Sequence, residues 1–100
     1  MITAEQQLKL QNFFATQPVK KAYVFGSYAR NEEVAGSDLD VLVELDELAK
    51  VSLFDFANMK LKLSNDLKLE IDLLSDKGLS KYIAPYIHEE KRLIYERKTG

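Results

Sequence analysis

The chain contains no cysteine, which excludes a disulfide framework, a thiolate metal site and a cysteine nucleophile. It has no dominant charge either. Fourteen basic residues against sixteen acidic ones leave a net charge of −2, so bulk electrostatics recruits neither nucleic acid nor an anionic membrane. No apolar run approaches the roughly twenty residues that span a bilayer. The opening stretch, Met1 to Gln7, lacks the basic and apolar regions of a signal peptide, so the expected location is cytoplasmic. Repeats, low-complexity tracts and linkers are absent too. The basic residues near the end (Lys91, Arg92, Arg97, Lys98) alternate with Glu89, Glu90 and Glu96, as on a solvated helix face. The sole histidine, His88, lies among those charges and reads as a surface residue.

What is present is an ordinary globular composition, 46% apolar and 30% charged over 100 residues, enough for one small domain over 1–100. Thr3 with Gln6 forms a capping-box pattern ahead of Leu10, Phe13 and Phe14, predicting a helix from Ala4 to Ala15. Lys21 to Phe25 reads as a short strand, broken by Gly26. Ser27 is placed to cap a short helix through Glu32. Asp38 to Leu45 is a second strand, its odd positions all apolar. Ser52 caps a third helix over Leu53 to Asp66, with Phe56, Met59, Leu63 and Leu67 on one side. Lys68 to Leu74 repeats the strand alternation. Leu79 to Arg97 reads as helical with a break at Pro85, on a stripe of Ile83, Ile87 and Ile94. The order α-β-α-β-α-β-α implies a small α/β (α+β) fold, a mixed sheet of three or four strands with flanking helices.

Chemistry concentrates in two places. Gly26-Ser27-Tyr28-Ala29-Arg30 closes an apolar run, and ten residues separate Ser27 from Asp38 in Ser37-Asp38-Leu39-Asp40-Val41-Leu42-Val43. Alternation on a strand puts Asp38 and Asp40 on one face. Adjacent carboxylates repel unless a cation sits between them, and the usual cation is magnesium carrying a nucleoside triphosphate. Strands two and three are expected side by side, which would bring Asp72 to the same patch. Glu70 shares its face, but Asp72 sits deeper in the apolar run. Gly26 and Ser27 suit the phosphates, because glycine lets backbone N–H groups approach an anion closely. Arg30 could reach a phosphate or pair with Glu32 or Glu33. Ser37 orients the strand start and is a weaker nucleotide contact. Taken singly, an Asp-x-Asp on an edge strand is an ordinary wet face, and a Gly-Ser turn is an ordinary helix start.

Together these residues resemble the minimal nucleotidyltransferase (MNT) group of the DNA polymerase β superfamily, whose pattern is a Gly-Ser pair, an acid-x-acid strand and a third acid on a later strand. The resemblance spans nearly the whole chain, and Asn31, where many relatives carry glycine, departs from it without breaking the turn. It implies a nucleotidyltransferase fold and transfer of AMP from ATP, with about two Mg²⁺ ions held by Asp38, Asp40 and Asp72. It further implies a HEPN-domain ribonuclease toxin as partner in a hetero-oligomer, modified on a tyrosine hydroxyl, this chain being the antitoxin. Two rivals remain. One is an antitoxin that masks its partner by contact alone, through Phe54, Tyr82, Tyr86 and Tyr95, although these read more readily as core. The other is an antibiotic-type small-molecule nucleotidyltransferase, for whose acceptor pocket the chain is short. The residues do not distinguish ATP from other nucleotides.

Overall fold

A strand that is apolar at every second position must bury one face, and here four helices and a four-stranded sheet arrange themselves around that demand. The computed structural model of the chain describes residues 2–98. Its helices are α1 (Ala4–Phe14), α2 (Gly26–Ala29), α3 (Leu53–Leu67) and α4 (Ala84–Glu90). Its strands are β1 (Val19–Phe25), β2 (Leu39–Leu45), β3 (Ile71–Ser75) and β4 (Arg92–Glu96), with a 3₁₀ turn at Asp76–Gly78. The strands lie in the order β3-β2-β1-β4. β1 is antiparallel to β2 and to β4, whereas β2 and β3 are parallel. A parallel pair needs a crossover, and α3 supplies it.

Both long helices begin as expected. Thr3 Oγ1 accepts from the Gln6 N–H while Gln6 Oε1 accepts from the Thr3 N–H, each at 3.0 Å. Ser52 and Asp55 form the same reciprocal cap on α3, again at 3.0 Å each. Such a box satisfies two orphan donors at once. α1 buries Leu10 and Phe14, and α3 buries Met59, Leu63 and Leu67, all against Leu39, Val41, Val43, Ile71 and Leu73 of the sheet.

The opposite face of the sheet is not simply wet. Leu42, an even position of β2, is fully buried with Phe25 and Ile87 in a second, smaller cluster under α4. The acids of β2 and β3 are in phase with Leu42 and Leu74, and so lie on this α4-covered face.

The last segment corrects the expectation of one kinked helix. Pro85 does not break a helix; it sits in the first turn of α4, where its missing N–H is not needed. The helix ends at Glu90, Lys91 is extended, and β4 pairs with β1. Ile87 and Ile94 do not share a stripe, since they pack into clusters on opposite faces of the sheet. The element order therefore closes α-β, and the basic residues line an edge strand rather than a helix face. Phe54, Tyr82 and Tyr86 are 83%, 75% and 73% exposed, so they are not core residues; Tyr95 does pack against the core. His88 is exposed, with Nε2 3.5 Å from Asp76 Oδ1. Among the described residues no helix is long and apolar enough to cross a membrane.

A strand and a helix make opposite demands on neighbouring side chains at the end of the chain. Ile94→Ala should cost about 2–4 kcal/mol in urea unfolding, whereas Leu93→Ala, on the half-exposed side, should cost less than about 1 kcal/mol. Equal costs would contradict the β4 register.

Candidate active site

The site is built where β1 ends. Phe25 pairs with Asp40 across the antiparallel β1–β2 ladder, and the chain then turns sharply into α2. Gly26 makes that turn with φ +72, the left-handed region that costs an L-residue about 1–2 kcal/mol. Space also demands glycine: a Cβ at position 26 would run into the Asp40 carboxylate. Ser27 does not cap the helix as expected. The cap is Phe25, with no side-chain hydrogen bond, and Ser27 lies within the first turn. α2 stops after one turn, and Asn31 takes φ 58 just beyond it, as asparagine can. In the loop that follows, Ser37 Oγ accepts from the Val34 N–H at 2.9 Å. Ser37 thus ties together the loop that leads into β2.

Parallel pairing brings the acids together. Asp40 and Asp72 are direct register partners on β2 and β3, so their side chains emerge side by side on the same face. Asp38 is exposed, one residue before β2 begins. Glu70 precedes β3, and its carbonyl accepts from the Leu39 N–H at 2.9 Å; Asp72, not Glu70, faces Asp40. The half-buried Asp40 carboxyl is pushed up to about 6. Burial is the largest cause, followed by the charges of Asp72 and Asp38, with Arg30 pulling the other way and a hydrogen bond with Asp72 adding to the rise. A carboxylate displaced this far, by burial first and by neighbouring like charges second, is a mark of a functional site. The donor set, hard carboxylate oxygens under mutual repulsion, suits a hard divalent cation. Among the described residues, no three acidic or histidine side chains are yet gathered as tightly as in a formed metal site.

Arg30 points to this end of the sheet, where its charge pulls on Asp40. Its Nη1 donates to Glu90 Oε2 at 2.8 Å, and its Nε lies 3.3 Å from Glu32 Oε1. The other oxygen of Glu90 accepts from the Gly26 N–H at 2.9 Å. Glu90 is the site residue that sequence reasoning missed. It stands 60 positions from Arg30, and nothing in its local pattern separates it from the other charges of that segment. A cavity of about 210 Å³ lined by Lys20, Glu44, Asp46, Val51 and Asp76 opens at the opposite end of the sheet, and it shares no residue with the acid patch.

A glycine turn abutting register-paired acids on a mixed sheet is an arrangement that suits nucleotidyl transfer. Residues 8–100 match the family model described as Polymerase beta, Nucleotidyltransferase, and the chain belongs to that family. Among its relatives, MJ0435 of Methanocaldococcus jannaschii, a protein adenylyltransferase by name, is 47% identical over 57 residues, 57% of this chain and 59% of that protein. On that alignment the chain spans less than two thirds of the relative's length. The protein adenylyltransferase MntA of Thermococcus cleftensis is 36% identical over 72 residues, covering 72% of this chain and 71% of the relative. Among solved structures, a toxin–antitoxin crystal structure with AMP-PNP superposes with TM-score 0.78 at 17% identity, covering 92% of this chain and 74% of that one. A minimal nucleotidyltransferase structure superposes at 0.73 with 32% identity over 89% of this chain and 88% of the other.

Two outcomes follow from the geometry. Because the Asp40 pKa of about 6 lies above the unfolded value near 3.9, the folded state binds that proton more tightly. Asp40 therefore contributes stability that is full below about pH 4 and is lost as pH rises through 6. In the metal-free protein, Asp40→Asn should be more stable than wild type by about 1 kcal/mol at pH 8, after discounting for solvent screening. That advantage should shrink to nothing in melts near pH 4. For the turn, Gly26→Ala should cost about 2–4 kcal/mol. The cost should fall measurably in an Asp40→Ala background, because most of the clash is then gone.

Proposed function

We propose that the chain is a Mg²⁺-dependent protein adenylyltransferase that transfers AMP from ATP to a tyrosine hydroxyl of a HEPN-domain toxin, and so acts as its antitoxin. The observation that carries the reading is the register pairing of Asp40 with Asp72 directly against the Gly26 turn. A phosphate-binding turn and a pair of repelling acids in contact are what nucleotidyl transfer requires and what a core does not. Support for the acceptor comes from the relatives. Several bear the name protein adenylyltransferase. One superposed structure, with TM-score 0.70, is of a tri-AMPylated Shewanella oneidensis HEPN toxin in complex with an MNT antitoxin.

In this reading Asp38, Asp40 and Asp72 would hold the metal ions between them. Bound magnesium supplies the positive charge that neutralises the phosphates and makes pyrophosphate a good leaving group. Gly26, Ser27 and Arg30 hold the β- and γ-phosphates, while Ser37 holds the loop beside them. That grip leaves the α-phosphorus facing the acceptor. Asp72 takes the proton of the tyrosine hydroxyl as its oxygen bonds to that phosphorus, and the bond to pyrophosphate breaks. Most of the acceleration comes from in-line positioning and charge neutralisation. A second reading, an antitoxin that acts by binding alone, is favoured by one observation: Tyr82, Ile83 and Tyr86 lie exposed in and just before α4.

Intact mass of a HEPN-domain protein that forms a complex with this chain, after incubation with Mg²⁺ and each nucleoside triphosphate in turn, decides between them. A gain of one or more adenylyl groups with ATP is expected. Asp38→Ala and Asp40→Ala should each reduce the rate by at least about a thousandfold while leaving the fold intact. A stable complex with no mass gain from any nucleotide would favour the binding antitoxin. Transfer retained in both variants would refute the metal assignment.

A further inference from the structure

Glu90 occupies the donors that the proposed function needs. One of its oxygens accepts from the Gly26 N–H at 2.9 Å and the other from Arg30 Nη1 at 2.8 Å. Its carboxyl is only partly exposed, with the side chain at 29%. Burial pushes it up, but the Gly26 amide and the Arg30 guanidinium outweigh that and hold it below the usual carboxylate range. Two donors on two elements meet both oxygens of one carboxylate, which is the way a phosphate is bound. Glu90 also brings a negative charge to the end of the sheet that carries Asp40 and Asp72, and it does so from the last residue of α4. Near a helix C-terminus a negative side chain gains nothing from the backbone dipoles. Its hold on Gly26 and Arg30 is therefore what keeps it there.

We propose that Glu90 is an internal stand-in for a nucleotide phosphate: it keeps the Gly26 turn and the Arg30 guanidinium in their binding geometry, and the incoming triphosphate displaces it. This inference rests on the nucleotide-binding reading above. An N–H carries one proton, so the Gly26 amide cannot serve Glu90 and a phosphate oxygen equally well at once. Occupancy by Glu90 lowers the affinity for nucleotide and makes it depend on an anionic group beyond the α-phosphate. Displacement also removes a tether from α4, whose one buried residue is Ile87. Binding at the Gly26 turn thereby loosens the helix that carries the exposed Tyr86.

Calorimetry of the full chain with Mg²⁺ and α,β-methylene-ATP tests this. Glu90→Gln should tighten binding by about threefold to tenfold, the share of one charge-assisted hydrogen bond near the surface. It should leave the affinity for AMP, which lacks the β- and γ-phosphates, unchanged. Glu32→Gln is the control for mere charge removal, since Glu32 pairs with Arg30 but does not reach the Gly26 N–H. It should change binding by less than about twofold. In the wild-type chain, amide hydrogen exchange over 84–90 should quicken on adding the analogue, a readout that needs no variant. Glu90→Gln binding no tighter than wild type, Glu32→Gln tightening it equally, or exchange over 84–90 slowing would each overturn the role of Glu90 while the nucleotide site stands. Absence of nucleotide binding in wild type and Glu90→Gln alike would instead overturn the nucleotide site, and this inference with it.

Discussion

The carboxylate of Asp40 stands where any side chain at position 26 would have to be, and much of the molecule is arranged around that contact. It requires glycine at the end of β1, it forces the left-handed turn that starts α2, and it holds the amide of that turn within reach of an anion. The same carboxylate is pressed by Asp72 from the neighbouring strand. An apolar pair at these two positions would stabilise a sheet better. Placing two acids there costs stability at neutral pH, a cost that a bound cation would offset. The site is thus the place where this fold departs from its own packing rules, as functional sites commonly do.

Mixed strand direction is what makes the arrangement possible. β1 runs into the site and turns there, so it delivers a backbone amide, while β2 and β3 start at the same end and deliver side chains. Because β2 and β3 are parallel, their acids come into register without a hairpin, and α3 provides the crossover on the far face. The core under α1 and α3 stays dry and uninterrupted as a result. The opposite face divides its work: Leu42 and Phe25 seat Ile87 of α4, and two residues along β2 the same face carries Asp40. A short helix with one buried residue is a weak anchor.

Several features were readable from the chain alone because they depend on neighbours in sequence. The Thr3–Gln6 capping box, the Ser52 cap, the α3 stripe of Met59, Leu63 and Leu67 and the strand phase of β2 are all local, and each is found where the pattern put it. The segment from Leu79 to Arg97 misled for the same reason. Ile83, Ile87 and Ile94 satisfy a helical period, and only the sheet could show that Ile94 belongs to an edge strand against β1. Likewise, Tyr82 and Tyr86 look like core residues by composition, yet a seven-residue helix seated by one isoleucine leaves them outside.

The sequence by itself determined the class of chemistry, since residue types at set spacings decide which side chains can share a strand face. Tertiary structure alone decided the partners. Asp72 rather than Glu70 meets Asp40 because of the parallel register, and Glu90 meets Gly26 and Arg30 across 64 and 60 positions. Spacing along a chain specifies periodicity, whereas contacts at that separation follow from which surfaces must be buried together.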